Sequence, residues 1–239
     1  MMVLRSAIFA AALVIVTPPY AVLSVLTFPF SRMARFKFIS GWSRIMLFVA
    51  RLVCGLDYRV EGRENLPAQP CVILSKHQST WETLAFQTVF PPQVHVLKKE
   101  LLWIPFFGWG LAMMSPIAID RAKGRAALRQ LARLGKERIQ QGFWVVIFPE
   151  GTRVAPGTRQ KYQLGGAWLA AQTETPVIPV AHNAGLYWPK NAFLKRSGVI
   201  TMRIGPAIQT RGRDPADVVA EVERWIELQQ AELCPAHSS

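Results

Sequence analysis

From Ser6 to Ser31 the chain carries no charged residue, and this run restricts its possible folds more than any other feature. A single helix of that length would cross a bilayer, since about 20 apolar residues span the hydrocarbon core. Pro18 and Pro19 fall near its middle. Each lacks a backbone donor and crowds the turn before it, so a bent or re-entrant segment competes with a straight span. The run is too long for a secretory leader and has no clear small-residue cleavage site. Arg32, Arg35 and Lys37 follow at once, against only Arg5 before it. That asymmetry predicts a body on the cytoplasmic side of an inner membrane.

A second segment, about 40–56, sets Arg44 and Arg51 on one helical face, with Ile45, Phe48, Val49, Leu52 and Val53 on the other. This is the pattern of an interfacial amphipathic helix. Residues 1–56 are therefore expected to anchor as a membrane-embedded helical hairpin, and 57–239 to form the body. The competing expectation packs both segments onto a soluble core, but so long an uncharged run is rare in soluble domains. A net charge of +13 calls for an anionic partner, a polyanion or a phospholipid membrane. The 51% hydrophobic content separates the two, because membrane attachment explains both numbers and nucleic acid only the first. The arginines are scattered and the aromatics sit in apolar runs, so nucleic acid is not expected as a partner. Cys54, Cys71 and Cys234 are odd in number and widely spaced, which fits a reducing compartment and not a disulfide framework or zinc site.

Beyond Asp57, short apolar runs alternate with longer amphipathic ones. Strands are predicted at 71–74, 94–97, 117–119, 143–148, 177–181 and 199–204. Helices are predicted at 80–90, 123–141, 164–173 and 215–231, with Gly142 closing the second. Alternation of this kind implies an α/β sheet covered by helices.

Polar clusters follow two of the strand candidates, where sites form in parallel α/β folds. The first is Ser75-Lys76-His77-Gln78-Ser79-Thr80-Trp81-Glu82-Thr83. On an ideal helix His77 and Glu82 would lie about 140° apart, so they meet only if His77 precedes the helix and Glu82 sits in its first turn. Ser79-Thr80-Trp81-Glu82 reads as a capping box, which allows that. It equally allows a plain reading, with Glu82 merely capping and His77 filling a loop. If they pair, the carboxylate fixes the imidazole tautomer and leaves the other nitrogen free as a general base.

The second cluster is Phe148-Pro149-Glu150-Gly151-Thr152-Arg153. Gly151 admits an anion to the backbone, Thr152 offers a hydroxyl, and Arg153 suits a phosphate, with Glu150 beside it to orient the guanidinium. Taken alone it is an ordinary polar turn with a salt bridge. At Ile119-Asp120-Arg121 a strand runs into a helix, and Arg121 either meets a phosphate there or faces water. Lys98 and Lys99 end another strand candidate. No HExxH and no G-x-S-x-G is present, so no metal and no acyl-serine step is expected. The run Leu101 to Trp109 would bound an apolar groove, dip into the membrane, or pack as core.

Four blocks, His-x4-Glu at 77–82, Ile-Asp-Arg at 119–121, Phe-Pro-Glu-Gly-Thr-Arg at 148–153 and Val-Ile-Pro-Val at 177–180, resemble those of glycerolipid acyltransferases in order and rough spacing. The likeness covers about 76–180 and implies a mixed, largely parallel sheet covered by helices. It implies acyl transfer from acyl-CoA or an acyl carrier protein to a lysophospholipid hydroxyl, with no cofactor beyond that thioester. His77 would be the base and Glu82 its orienter. Lys98, Arg121, Glu150, Gly151, Thr152 and Arg153 would hold the phosphate. Two departures stand out: the acid is usually Asp, and Gln163 stands where a basic residue is often found. His-x4-Glu also occurs in lipid A acyltransferases, so another acceptor remains an alternative, as does a non-catalytic module binding anionic membranes.

Overall fold

A computed structural model of the chain describes residues 1–235, apart from the side chain of Arg121. Seven strands form one sheet in the order β1-β7-β6-β2-β5-β3-β4. Their ranges are β1 Leu56–Glu61, β2 Val72–Ser75, β3 Gln93–Lys98, β4 Ile117–Ile119, β5 Trp144–Ile147, β6 Val177–His182 and β7 Gly198–Ile204. All neighbours are parallel except β6 and β7. The sheet is thus mixed and largely parallel, as expected.

Side chains alternate across the central strands because successive residues point to opposite faces. Ile73, Val146, Ile178 and Val180 enter one apolar layer, while Val72, Leu74, Val145, Ile147 and Val177 enter the other. The first layer is covered by α1 (Met2–Leu26), α2 (Arg32–Cys54) and α3 (Trp81–Val89), through Phe9, Met46, Trp81 and Phe86. The second is covered by α5 (Arg125–Gln140), α6 (Gly165–Gln172) and α8 (Pro215–Leu233), through Leu131, Leu169, Val222 and Ile226. Two shorter helices, α4 (Phe107–Met113) and α7 (Ala184–Tyr187), lie at the rim.

The structure decides one open alternative and adds two elements the sequence did not show. The proline pair does not interrupt α1, which runs unbroken from Met2 to Leu26 with Pro18 and Pro19 inside. Helix α2 packs along it at this point: the Tyr20 hydroxyl donates to Phe38 O at 2.6 Å, and the two rings stack 5.2 Å apart. Strand β1 was not anticipated, because Leu-Asp-Tyr-Arg-Val-Glu is only half buried and gains its ladder from β7, far along the chain. Helix α4 was also missed, since Gly108 and Gly110 weaken its signature.

The amino-terminal helices have two faces. Inward, Phe9, Met46, Leu47, Ala50 and Cys54 join the sheet's own apolar layer. Outward, Val14, Ile15, Val22 and Leu26 of α1 and Ile45, Phe48 and Leu52 of α2 are exposed, as are Trp103, Ile104 and Trp109 near α4. Helix α1 is long and apolar enough to cross a membrane.

Candidate active site

The carboxyl ends of β2, β5, β3 and β4 lie side by side, and the loops leaving them carry the polar blocks. Parallel strands aim those loops at one edge of the sheet, so chain segments separated by dozens of residues converge there. His77 leaves β2, Phe148 to Arg153 leave β5, Lys98 ends β3, and Asp120 and Arg121 leave β4. A hydrogen bond from Val154 N–H to His77 O, 2.7 Å, ties the first two loops together.

His77 Nδ1 lies 2.8 Å from Glu82 Oε1. The same oxygen accepts the backbone N–H of Ser79 at 2.8 Å and of Gln78 at 3.0 Å. Ser79 Oγ accepts from Trp81 N–H at 3.1 Å, and the helix starts at Trp81 with Thr80 at its N-cap, so of the predicted capping box only the bond from Ser79 N–H to Glu82 forms. One carboxylate oxygen thus both ties down the loop before α3 and orients His77. The extra methylene of Glu relative to Asp is absorbed within this three-donor arrangement.

Glu82 is fully buried, and burial alone would raise its pKa. The group is nonetheless held below the ordinary carboxylate range. A charged His182 would contribute, but burial also drives that imidazole toward neutrality. Its nitrogens agree: Nδ1 accepts from Ala184 N–H at 3.3 Å and Nε2 donates to Lys76 O at 2.9 Å. The three donors on Oε1, together with the amino end of α3, are what keep Glu82 ionised. An ionised Glu82 requires the His77 proton on Nδ1, leaving Nε2 as the basic nitrogen. The His77 ring stacks on Phe148 at 3.9 Å between centroids, with the planes 14° apart. Carboxylate and ring stacking together hold the imidazole in one orientation. His95 lies beyond Phe148, 6.1 Å from it, and burial depresses its pKa to about 4, so it stays neutral.

His77, Lys98, Gly151, Thr152 and Arg153 all line one cavity of about 540 Å³. Its remaining wall is mainly apolar, built from Leu13, Tyr20 and Ala21 of α1, Trp42 of α2, Leu101, Ile104, Phe106 and Phe107, and Leu111 and Met114. The run from Leu101 to Trp109 therefore supplies cavity wall with four of its residues while Trp103 and Trp109 face outward. Gly151 has φ 71°, a backbone conformation that favours glycine, and its N–H bonds Phe148 O at 3.0 Å to close the turn.

One predicted site residue falls elsewhere. Glu150 does not orient Arg153 and does not face the cavity. It is buried, with its carboxylate turned to the Lys76 ammonium at 3.2 Å, an ion-pair contact lacking hydrogen-bond geometry. The reason is polarity: in the interior Glu150 faces the Lys76 ammonium, whose nearer partner is Glu227, whereas a carboxylate beside a phosphate would repel it. Arg121 opens a short 3-10 turn after β4, and its side chain lies outside the described residues. Asp120 beside it pairs with Lys99 at 2.6 Å. Among the described residues no cluster of His, Cys, Asp or Glu is arranged to hold a metal ion.

The acyltransferase family model matches residues 57–183, a span that contains all four blocks. This chain belongs to that family. The 1-acyl-sn-glycerol-3-phosphate acyltransferase of Pseudomonas aeruginosa is 48% identical over 206 residues, covering 84% of this chain and 80% of that one. The beta form of the enzyme so named in Homo sapiens is 33% identical over 173 residues, 71% of this chain and 62% of the human one. The chain thus spans less than two thirds of that human relative. The fold is that of the crystal structure titled 1-acyl-sn-glycerophosphate acyltransferase from Thermotoga maritima, with TM-score 0.77, 21% identity and coverage of 100% and 97%.

The acyltransferase site also depends on residues past the matched span. The Lys76 ammonium, 1% exposed, meets Glu227 of α8 at 2.8 Å, and the Tyr162 hydroxyl donates to the same carboxylate oxygen at 3.0 Å. One turn on, Gln230 Oε1 accepts from Gln78 Nε2 at 2.6 Å, and its own Nε2 donates to His182 O at 2.9 Å. Both residues flanking His77 are therefore braced from α8. Nothing in the local sequence signals this, because the partners lie about 150 positions apart and meet only when α8 packs on the sheet.

Proposed function

We propose that this protein transfers an acyl group from acyl-CoA or an acyl carrier protein to the sn-2 hydroxyl of 1-acyl-sn-glycerol 3-phosphate, giving phosphatidic acid. One observation carries this reading: a carboxylate-oriented histidine and the Gly151-Thr152-Arg153 turn share a single, largely apolar cavity. The printed names of the relatives point to the same acceptor. His77 Nε2, which has no hydrogen-bond partner among the described residues, takes the proton of the acceptor hydroxyl as its oxygen attacks the thioester carbonyl. Collapse of the tetrahedral adduct breaks the C–S bond, and the imidazolium returns the proton to the departing thiolate. Glu82 stabilises the transient imidazolium without itself accepting the proton. Lys98, Arg121, Thr152 and Arg153 are the residues for the acceptor phosphate, while the apolar wall accepts its chain. Fixing both substrates against His77 supplies much of the acceleration.

The setting is a membrane whose phospholipids surround the amino-terminal hairpin, residues 1–56, with the body of residues 57–239 on the cytoplasmic side of the inner membrane. The outward apolar faces of α1 and α2 and the basic run after α1 support this. The test is thioester release in detergent with lysophosphatidic acid, comparing wild type with His77→Ala. General-base loss should lower kcat by roughly 10² to 10⁴. Turnover by the variant close to wild type would remove the catalytic assignment.

A further inference from the structure

Among the described residues the cavity wall carries three cationic side chains, Lys98, Arg153 and Lys190, and no carboxylate. Lys190 lies outside every block the sequence singled out and beyond the span of the family match. It follows β6 and α7, in Trp188-Pro189-Lys190, and is brought to the site by the turn of chain after Tyr187. Its ammonium donates to Arg153 O at 3.2 Å and to Thr152 Oγ1 at 3.4 Å. Both contacts are to neutral oxygens, and no carboxylate within ion-pair distance of Lys190 is found among the described residues. Its charge is thus held against the phosphate-type turn without being neutralised there.

Resting on the acceptor proposed above, we infer that Lys190 is a ligand of the lysolipid phosphate, acting beside Arg153. The chemistry of the acceptor locates that group. Two carbons and an ester oxygen separate the attacking sn-2 hydroxyl from phosphorus, so with the hydroxyl at His77 the phosphate must lie nearby. The turn after Phe148 is the place, since Phe148 stacks on the His77 ring and Val154 bonds the His77 carbonyl. A phosphomonoester near neutral pH approaches two negative charges, enough to engage Lys190 beside the Arg153 guanidinium as well as the cations proposed at Lys98 and Arg121. Lys190 adds its charge as a mobile point source, and its two present contacts rotate away at little cost.

The experiment measures lysophosphatidic acid binding in detergent micelles on a His77→Ala background, where no transfer confuses the reading, with and without Lys190→Ala and Lys190→Arg. Lys190 is exposed, so its replacement spares the fold, and circular dichroism checks this. Loss of a charge-assisted contact should weaken binding about tenfold or more, and arginine should restore most of it. A monoacylglycerol, which has the same chain and no phosphate, should bind the Lys190→Ala protein as it binds the parent. In the enzyme with His77 intact, KM for the lysolipid should rise and KM for the acyl donor should hold. Unchanged lysolipid binding, or a rise confined to the donor KM, overturns the inference. A wild type that binds lysophosphatidic acid without acylating it refutes the proposed reaction and leaves the Lys190 result standing.

Discussion

At the scale of single residues, what a buried carboxylate does here is set by the groups that surround it. Glu82 and Glu150 are both buried glutamates, yet their environments drive them in opposite directions. Three donors converge on Glu82 and keep it ionised beside His77. For Glu150 burial wins, and the carboxyl is pushed up to about 7 despite the pull of Lys76. The folded protein therefore keeps a proton that the unfolded chain releases between the ordinary 4.5 and about 7. The stability contributed by this group is complete below that window and fades as pH rises through it. Thermal unfolding at a series of pH values should show wild type losing stability relative to Glu150→Gln between about pH 5 and 7. A constant difference across that range would contradict the assignment.

At the scale of elements, the loops work because the helices beneath them sit close to the sheet. Helix α6 approaches β2 and β5 where Gly166 lies against Leu74 and Ile147, and a methyl group at residue 166 would run into Leu74. Leu74 is fully buried and immediately precedes Ser75 and the loop that carries His77. Gly166→Ala gains helix propensity but forces this packing apart, with a net loss of about 1–3 kcal/mol expected. Urea unfolding measures it, and an unchanged or raised midpoint would show that Leu74 can shift freely. The brace from α8 obeys the same logic. Lys76 and Gln78 leave little freedom to the residue between them, so the imidazole is positioned through its neighbours as well as through Glu82.

At the scale of the whole molecule, exposed apolar side chains concentrate on α1, α2 and the segment around α4, the same elements that wall the cavity. An apolar chain can thus reach the His77 cavity from these outward faces while remaining in apolar surroundings. Phe48 and Leu52 are 64% and 73% exposed on the outward face of α2, flanked by Arg44 and Arg51. Inserting two such side chains contributes about 1.5–3 kcal/mol each. The double substitution Phe48→Asp, Leu52→Asp should therefore reduce partitioning onto vesicles of mixed anionic and zwitterionic phospholipid by well over tenfold. Far-UV circular dichroism should stay unchanged, because neither side chain is in the core. Undiminished vesicle binding would move the membrane contact to another face.

Much of this was legible in the chain. Strand and helix placement across the body followed from apolar periodicity, and 117–119 coincides with β4 to the residue. The pairing of His77 with Glu82 was conditional on a loop-then-helix arrangement, which local capping chemistry encodes in nearby positions. Other features were settled by packing between distant segments. Strand β1 exists because β7 pairs with it, and α1 stays whole across Pro18 and Pro19 with α2 packed along it. Glu150 turns from the cavity toward a buried lysine, and Lys190 enters because the chain after α7 returns to the β5 turn. Capping and periodicity act between residues a few positions apart, so sequence alone determined them. Burial, ion pairing and the shape of a cavity depend on which remote surfaces meet, and only the assembled sheet and its two helical layers decided those.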